Sequence, residues 1–167
     1  TPGASDATMV ALDKRTGDVR WRASVPEIGE KGTDGAGYSS IVVSEAAGVR
    51  QYVQLTGRGM IGVRASDGEF LWSSNAIANG TANMPTPIVS GDNVFCSTGY
   101  GTGAALLKLS PTANGVSAKE VYFLNSKVFQ NHHGGMIQVG DFIYAGHQHN
   151  EGFPICLKLS TGEVVWG

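Results

Sequence analysis

The stretch ALDKRTGDVRW, residues 11–21, decides the fold, because it recurs without gaps as GVRASDGEFLW at 62–72 and as CLKLSTGEVVW at 156–166. Each copy predicts a strand, a tight turn and a second strand that ends in tryptophan. A glycine stands at the same place in each turn, where a left-handed backbone would strain any residue with a Cβ. The turn glycines and the tryptophans are Gly17, Gly68, Gly162, Trp21, Trp72 and Trp166.

A fourth, degenerate copy, LLKLSPTANGVSAKEVY (106–122), has a longer turn and ends in Tyr122 in place of tryptophan. The four aromatic anchors recur about every 50 residues, a period typical of β-propeller blades when the repeat contains only strands. A second hairpin precedes each of the last three anchor hairpins, at 40–55, 86–99 and 135–146. Each blade is therefore predicted to contain four antiparallel strands, A to D, with the anchor at the end of strand D.

The predicted fold class is all-β, a single partial β-propeller domain over residues 1–167. Strands C and D of one blade come first, at 8–24, and full blades follow at 39–74, 86–125 and 135–167. These add up to about three and a half blades, fewer than the roughly four to eight of a closed ring. The sequence favours a piece of a longer propeller, and completion of the ring by oligomerisation is the alternative.

Composition narrows the classes of function. Charged residues make up 16% of the chain and its formal net charge is −2, so we expect no basic face for nucleic acid. No apolar run reaches the roughly 18 residues that a membrane-spanning helix needs. Cys96 and Cys156 lie in apolar runs and are predicted to be buried free thiols, although two cysteines alone leave a disulfide open.

The D–A and B–C loops of such blades emerge on one face of a propeller, and here they are long. We call this surface the loop face. Its predicted loops cover 26–40, 56–60, 75–87, 98–104, 125–135 and 146–154. All four histidines of the chain belong to it. The candidate ligand-binding residues on the loop face are His132, His133, His147, His149, Tyr38, Arg58, Asn83 and Tyr100, with Asp34 beside them.

Three hypotheses compete for the histidines. Neutral imidazoles suit zinc, copper or iron, and the candidate metal ligands are His133, His147 and His149, because the last two would share one side of a strand. Acid–base or substrate-binding work in a pocket is the second hypothesis. The third, which the sequence favours, is a structural loop whose imidazoles satisfy backbone groups. His132 and His133 would point apart in an extended chain, so at most one of them is expected to meet the second pair.

The repeat resembles that of the PQQ-like repeat β-propeller family, whose blades carry an Ala-x-Asp-x-x-Thr-Gly-x-x-x-Trp signature. The first copy matches this signature at Ala11, Asp13, Thr16, Gly17 and Trp21. The resemblance implies that the tryptophans and Tyr122 are docking anchors between neighbouring blades. The loops look most similar to those of secreted planctomycete-type bacterial members of unassigned role, which implies a periplasmic or extracellular location.

The resemblance alone leaves several functions open. The family contains quinoprotein alcohol dehydrogenases, which bind pyrroloquinoline quinone and calcium, and also a non-enzymatic outer-membrane assembly lipoprotein. The dehydrogenases hold the quinone against an aromatic ring, often under a disulfide of adjacent cysteines. This chain has no adjacent cysteines, and its tryptophans are all repeat anchors. We therefore expect no cofactor in this chain.

The function that these observations favour is a non-catalytic binding or scaffolding propeller. Its ligand or protein partner, which the sequence does not identify, would lie on the loop face, because long loops on a rigid scaffold are where binding residues concentrate. A fragment of a quinoprotein dehydrogenase-like enzyme is one alternative. A histidine-based metal-binding propeller is the other.

Overall fold

Strands dominate the computed structural model, which describes residues 1–167. The first sheet pairs β1 (Met9–Leu12) with β2 (Val19–Ala23). The second contains β3 (Val42–Ser44), β4 (Gln51–Thr56), β5 (Gly59–Arg64) and β6 (Phe70–Ser74). The third contains β7 (Ile88–Ser90), β8 (Asn93–Thr98), β9 (Gly103–Thr112) and β10 (Gly115–Asn125). The fourth contains β11 (Ile137–Val139), β12 (Phe142–His147), β13 (Phe153–Lys158) and β14 (Val164–Trp166).

All four sheets are antiparallel, and the strands of each are neighbours in chain order. The only helical segment is a single 3-10 turn at Ala46–Gly48, between β3 and β4. One two-stranded sheet followed by three four-stranded sheets is the arrangement expected for about three and a half blades. The predicted all-β partial propeller is confirmed.

The turn of the repeated hairpin has the same geometry in its three glycine-containing copies. Gly17, Gly68 and Gly162 have φ angles of +81°, +81° and +71°. Each donates its N–H to the carbonyl four residues earlier, at 2.8, 3.0 and 2.8 Å respectively. A left-handed backbone with a return hydrogen bond explains why glycine recurs at this position.

Trp21 extends from the first sheet onto the turn of the second. Its indole N–H donates to the carbonyl of Ala65 at 3.1 Å. A Cβ on Gly68 would lie 2.6 Å from the Trp21 ring, so the ring packs directly on the glycine. Gly68 therefore serves two purposes, because it provides the left-handed turn and the space for an aromatic ring from the preceding sheet.

Tyr122 makes the equivalent contacts between the third and fourth sheets. Its hydroxyl donates to the carbonyl of Leu159 at 2.8 Å, and a Cβ on Gly162 would lie 2.9 Å from its ring. Leu159, like the acceptor of Trp21, stands three residues before the turn glycine. The phenol hydroxyl thus takes the place of the indole N–H in the degenerate copy.

The other two anchors have different surroundings. Trp72 is only 4% exposed and donates to Gln51 Oε1 at 2.6 Å, within its own sheet. The third sheet has no short glycine turn for Trp72 to pack on, because the long β9–β10 hairpin occupies the equivalent position. Trp166 is 49% exposed, and its nearest aromatic neighbour is Tyr144 of the same sheet, with ring centroids 6.1 Å apart. The environment of an anchor therefore depends on the sheet that follows it.

Buried side chains form one cluster at each interface between consecutive sheets. The cluster between the second and third sheets has 12 buried residues, including Val53, Leu55, Val94 and Leu107. The cluster between the third and fourth has eight, including Phe95 and Phe129. The cluster at the first interface has four, namely Met9, Ala23, Ile61 and Val63. Since apolar burial is the main stabilising term, the middle interface is the strongest.

Both cysteines are free and buried, and they lie in different sheets, Cys96 in β8 and Cys156 in β13. The Cys96 thiol donates to the carbonyl of Pro85 at 3.5 Å. Burial raises the pKa of this thiol to about 12, which keeps it protonated and unreactive at neutral pH. None of the helical structure is long and apolar enough to cross a membrane.

Candidate functional site

Two loops at one end of the fourth sheet lie side by side. One, residues 126–136, leads into β11, and the other, residues 148–152, joins β12 to β13. They are joined by a parallel bridge between Asn131 and Gln148. Gln148 has a φ of +72°, so the backbone turns away from the strand just after His147.

Three histidines and a tyrosine meet at this junction. The His132 ring stacks on the His149 ring with centroids 3.8 Å apart and an interplanar angle of 26°. His133 covers His132 with centroids 3.6 Å apart. Tyr100, from the loop between β8 and β9, presents its edge to His132 and His149 at 4.7 and 4.8 Å. We call these four residues the histidine cluster.

Of His132 and His133, only His132 meets the second pair, as expected, because its ring stacks on His149 whereas the His133 ring contacts that of His132. The backbone bends at both residues instead of running extended, so the two rings come to the same side. The absence of a side chain at Gly99 makes room for His132, because a Cβ at that position would lie only 3.0 Å from the His132 Cα. The expected outcome holds, although the sequence argument assumed an extended chain and the backbone of this loop is bent.

His147 does not join the cluster. Its Nδ1 accepts the backbone N–H of Gln130 at 3.2 Å, and its ring stacks on Phe129 with centroids 6.0 Å apart. The candidate ligands His133, His147 and His149 are therefore not brought together, because the turn at Gln148 separates the last two. No group of three or more histidine, cysteine, aspartate or glutamate side chains is arranged to hold a metal ion.

Asn131, which the sequence did not single out, holds the two loops in place. Its N–H donates to Ser97 Oγ at 2.9 Å, and its side-chain amide donates to the carbonyl of Gly146 at 3.0 Å. The residue is 1% exposed, yet its Oδ1 has no hydrogen-bond partner. An asparagine in a glycine-rich loop is so common in turns that no sequence signal could have marked this one.

A cleft of about 260 Å³ opens over these groups. Its lining residues are Asn131, His132, His133, Gly134, Gly146, Gln148, His149, Asn150 and Gly152. His132 Nε2 and His149 Nδ1 are buried and, like Asn131 Oδ1, have no hydrogen-bond partner. Since a buried polar atom without a partner costs about 1–3 kcal/mol, the three atoms make this cleft the candidate binding site of the loop face.

The cleft favours the neutral form of His132. Burial lowers the pKa of His132 from its ordinary value of 6.5, and the neighbouring His133 and His149 lower it further. No aspartate, glutamate, lysine or arginine lines the cleft. The lining consequently contains no carboxylate, ammonium or guanidinium group, and His132 is held in its neutral form.

The remaining predicted residues lie elsewhere on the loop face. Arg58 pairs with Asp34 and donates to the carbonyl of Gly29 at 2.9 Å. Asn83 is buried and donates to the carbonyl of Gly57 at 2.8 Å. Their loops line clefts of about 280 and 250 Å³ that do not include the histidines.

Tyr38 and Tyr100 differ in what surrounds them. Tyr38 is 73% exposed at the cleft it shares with Asn83. Tyr100, in contrast, is half-buried against His132 and His149. Of the four non-histidine candidates, only Tyr100 belongs with the histidines. The polar groups of Arg58 and Asn83 already have protein partners, whereas those of the histidine cleft do not.

One family model, described as "Outer membrane protein assembly factor BamB", matches residues 3–167. The chain belongs to the PQQ-like repeat β-propeller family. The match covers nearly all of the sequence and agrees with the four antiparallel sheets. No curated protein matches the chain.

The residues of this PQQ-like repeat chain do not fit a quinone and its calcium ion. Trp21 and Trp72 are held in contacts within and between sheets, and Trp166 packs beside Tyr144 of its own sheet. The two cysteines lie in different sheets. The histidine cleft has no carboxylate for a hard cation, which prefers oxygen ligands.

Proposed function

We propose that this chain is a non-catalytic binding propeller whose ligand occupies the cleft beside the histidine cluster. One observation carries the proposal: the unpartnered Oδ1 of Asn131, a residue that is 1% exposed. The other polar atoms of that side chain and its backbone are bonded to two neighbouring strands. The oxygen is thus held rigidly at the cleft, and a ligand would supply its missing donor.

Binding suits the geometry better than catalysis. A catalytic histidine is normally oriented by a third group that bonds its other ring nitrogen. No carboxylate lines the cleft to orient an imidazole in this way. Rigid loops with convergent, unsatisfied polar atoms are what a preformed binding site requires.

The proposal is tested by a thermal-shift and chemical-shift screen of the purified chain. The probes are a neutral oligosaccharide (maltotetraose), inorganic phosphate, spermidine and zinc chloride. His149→Phe keeps a flat ring but removes Nδ1, and His147→Gln is the control, because it removes an imidazole outside the cleft while keeping a side-chain acceptor for the N–H of Gln130. We expect at least one probe to bind, to lose about tenfold in affinity in His149→Phe, and to bind His147→Gln as it binds the parent chain.

Two results would overturn the proposal. One is that no probe of any class binds. The other is that the probe that binds is unaffected by His149→Phe, because the ligand would then lie elsewhere. Both variants are first compared with the parent by circular dichroism, so that a loss of fold is recognised as such.

We also propose a periplasmic or extracellular location, with docking of the aromatic anchors between blades. The location is supported by the name of the matching family, which refers to an outer membrane assembly factor. Fractionation of cells that make the natural full-length protein tests it, and recovery in the cytoplasm would contradict it. The docking is supported by the contacts of Trp21 and Tyr122 with the next sheet.

A further inference from the structure

We infer that the ligand of the histidine cleft is a neutral polyhydroxylated molecule, that is, a carbohydrate. The inference rests on the proposed binding function and adds the chemical class of the ligand. It follows from three properties of the cleft: the charge of its lining, the kind of hydrogen-bonding groups it leaves open, and the space that its glycines create.

The charge of the lining argues against ionic ligands. The nine lining residues contain no lysine or arginine to pair with a phosphate or carboxylate, and no aspartate or glutamate to pair with a cation. The nearest carboxylate in sequence, Glu151, is exposed and accepts the N–H of Asn150 at 3.1 Å. Burying an unpaired charged group here would cost several kcal/mol, roughly.

The open hydrogen-bonding groups match hydroxyls. Asn131 Oδ1 is an acceptor only, so it requires a donor from the ligand. A neutral imidazole nitrogen either donates or accepts, depending on its tautomer, and His132 and His149 each leave one nitrogen open. A hydroxyl group both donates and accepts, so hydroxyls suit the amide oxygen and the imidazole nitrogens alike. A purely accepting ligand, such as sulfate, leaves no donor for Asn131.

The rim of the cleft adds further groups of the same kind. Gln148 and Asn150 are exposed there, and side-chain amides both donate and accept. The imidazole of His133 is exposed as well and covers His132 from outside. A flat ring at the edge of a polar cleft offers a surface for the C–H face of a sugar.

Two glycines of the lining keep the cleft open because they have no side chain. Gly134 and Gly146 do not have the left-handed φ that would require glycine. A Cβ on Gly146 would lie 3.4 Å from Gly152, and one on Gly134 would lie 3.3 Å from Asn131 Nδ2. Side chains at these positions would be compatible with the backbone but would fill the cleft, so their absence preserves room for a ligand.

The experiment uses a pair of neighbouring glycines. Gly134→Val fills the cleft, whereas Gly135→Val is the matched control, because Gly135 does not line the cleft and has nothing within 4 Å of its Cβ position. Isothermal titration and protein-observed NMR measure the binding of maltotetraose, cellotetraose and chitotetraose to the parent and both variants. Phosphate, spermidine and zinc chloride are titrated in parallel.

We expect at least one of the neutral oligosaccharides to bind, with its affinity reduced about tenfold or more by Gly134→Val and changed less than about twofold by Gly135→Val. If only phosphate, spermidine or zinc shifts the signals of the cleft, the carbohydrate inference fails while the binding function stands. If no probe binds at the cleft, both fail. Sugar binding that Gly134→Val leaves unchanged also overturns the inference, and His149→Phe replaces Gly134→Val if the latter does not fold.

Discussion

Gly17 and Gly68 have the same φ of +81° but different surroundings, which makes them a natural pair for measuring an interaction. A Cβ on Gly17 has nothing within 4 Å, whereas one on Gly68 meets the Trp21 ring at 2.6 Å. We predict that Gly17→Ala lowers the free energy of unfolding by about 1–2 kcal/mol, the cost of the left-handed backbone. Gly68→Ala should cost about 1–3 kcal/mol more, because the ring of Trp21 must also move.

Urea unfolding followed by circular dichroism measures both glycine variants. Trp21→Ala, with and without Gly68→Ala, provides the control. In the Trp21→Ala background the extra cost of Gly68→Ala should disappear, because no ring remains to overlap with the new methyl group. Equal losses in Gly17→Ala and Gly68→Ala would show that the ring does not pack on the turn in solution.

His132 predicts a dependence of stability on pH. Its pKa in the folded chain is lowered below 6.5 by burial, so the folded state binds fewer protons than the unfolded state near that pH. The contribution of His132 is therefore fully present above about pH 7 and is lost as the pH falls through 6.5 towards the folded pKa. Below both pKa values, the contribution of His132 to the free energy of unfolding no longer changes with pH.

The prediction is measured by urea unfolding of the parent chain and of His132→Gln between pH 8 and pH 5. The parent should lose stability more steeply over this range, because the glutamine does not titrate. An NMR titration of the His132 ring should give a pKa below 6.5. A ring that titrates at or above that value would contradict the stacked, buried arrangement.

At the residue scale, the sequence predicted which loops carry the site but only part of its membership. His132, His149 and Tyr100 were named as candidates, and the structure brings them together. The turn at Gln148 could not be foreseen, because a left-handed φ at a residue other than glycine follows from the loop contacts around it. Asn131 was missed because asparagine is common in loops, and the turn at Gln148 keeps His147 apart from the histidine cluster.

At the element scale, Trp72 connects β6 to β4 through one buried hydrogen bond. Gln51 is fully buried, and its Oε1 accepts from the Trp72 indole at 2.6 Å. We predict that Trp72→Phe costs about 1–3 kcal/mol of unfolding free energy, because that oxygen loses its partner. Trp166→Phe, at a half-exposed site, should cost less than about 0.5 kcal/mol.

Differential scanning fluorimetry with an external dye, together with urea unfolding, compares the two tryptophan variants. Gln51→Leu, with and without Trp72→Phe, is the control: the indole then has no Oε1 to bond, so Trp72→Phe should cost less in the Gln51→Leu background than in the parent. A loss in Trp72→Phe no larger than that in Trp166→Phe would contradict the assigned hydrogen bond.

The β9–β10 hairpin shows what a repeat preserves when its sequence degenerates. The extended turn and Tyr122 were recognised in the sequence as a divergent copy, and the structure has the long hairpin with Tyr122 near its end. The hydroxyl of Tyr122 still reaches a carbonyl of the next sheet. Trp72, which faces this hairpin, instead finds its acceptor in its own sheet. Which carbonyl or side chain accepts from each anchor depends on the neighbouring sheet, so the sequence period alone could not predict it.

At the scale of the whole molecule, the fold was predictable because each sheet repeats one local pattern. Alternating strands, glycine turns and aromatic anchors each require only short-range information, and four copies reinforce one another. The loop face has no such repetition. Its clefts are lined by different residues at each position, which explains why the repeat predicted the fold but not how the side chains of the loops are arranged.

The unequal interfaces predict that the molecule opens from its first sheet. Four buried residues hold that sheet to the second, compared with 12 and eight at the later interfaces, and stability in a repeat fold follows its nearest-neighbour interfaces. We predict that amides of residues 9–23 exchange with deuterium at least about tenfold faster than those of β4, β5, β8 and β9, a difference of about 1.4 kcal/mol or more in opening free energy.

Hydrogen exchange with mass spectrometry measures the difference, and two core variants provide the internal comparison. Val63→Ala weakens the first interface and should accelerate exchange in β1 and β2 while β8 and β9 stay protected. Leu107→Ala lies in the middle cluster and should accelerate exchange in the second and third sheets together. If all four sheets exchanged at one rate in the parent and both variants, the sheets would unfold as a single cooperative unit, and the difference in buried residues between interfaces would not govern how the propeller opens.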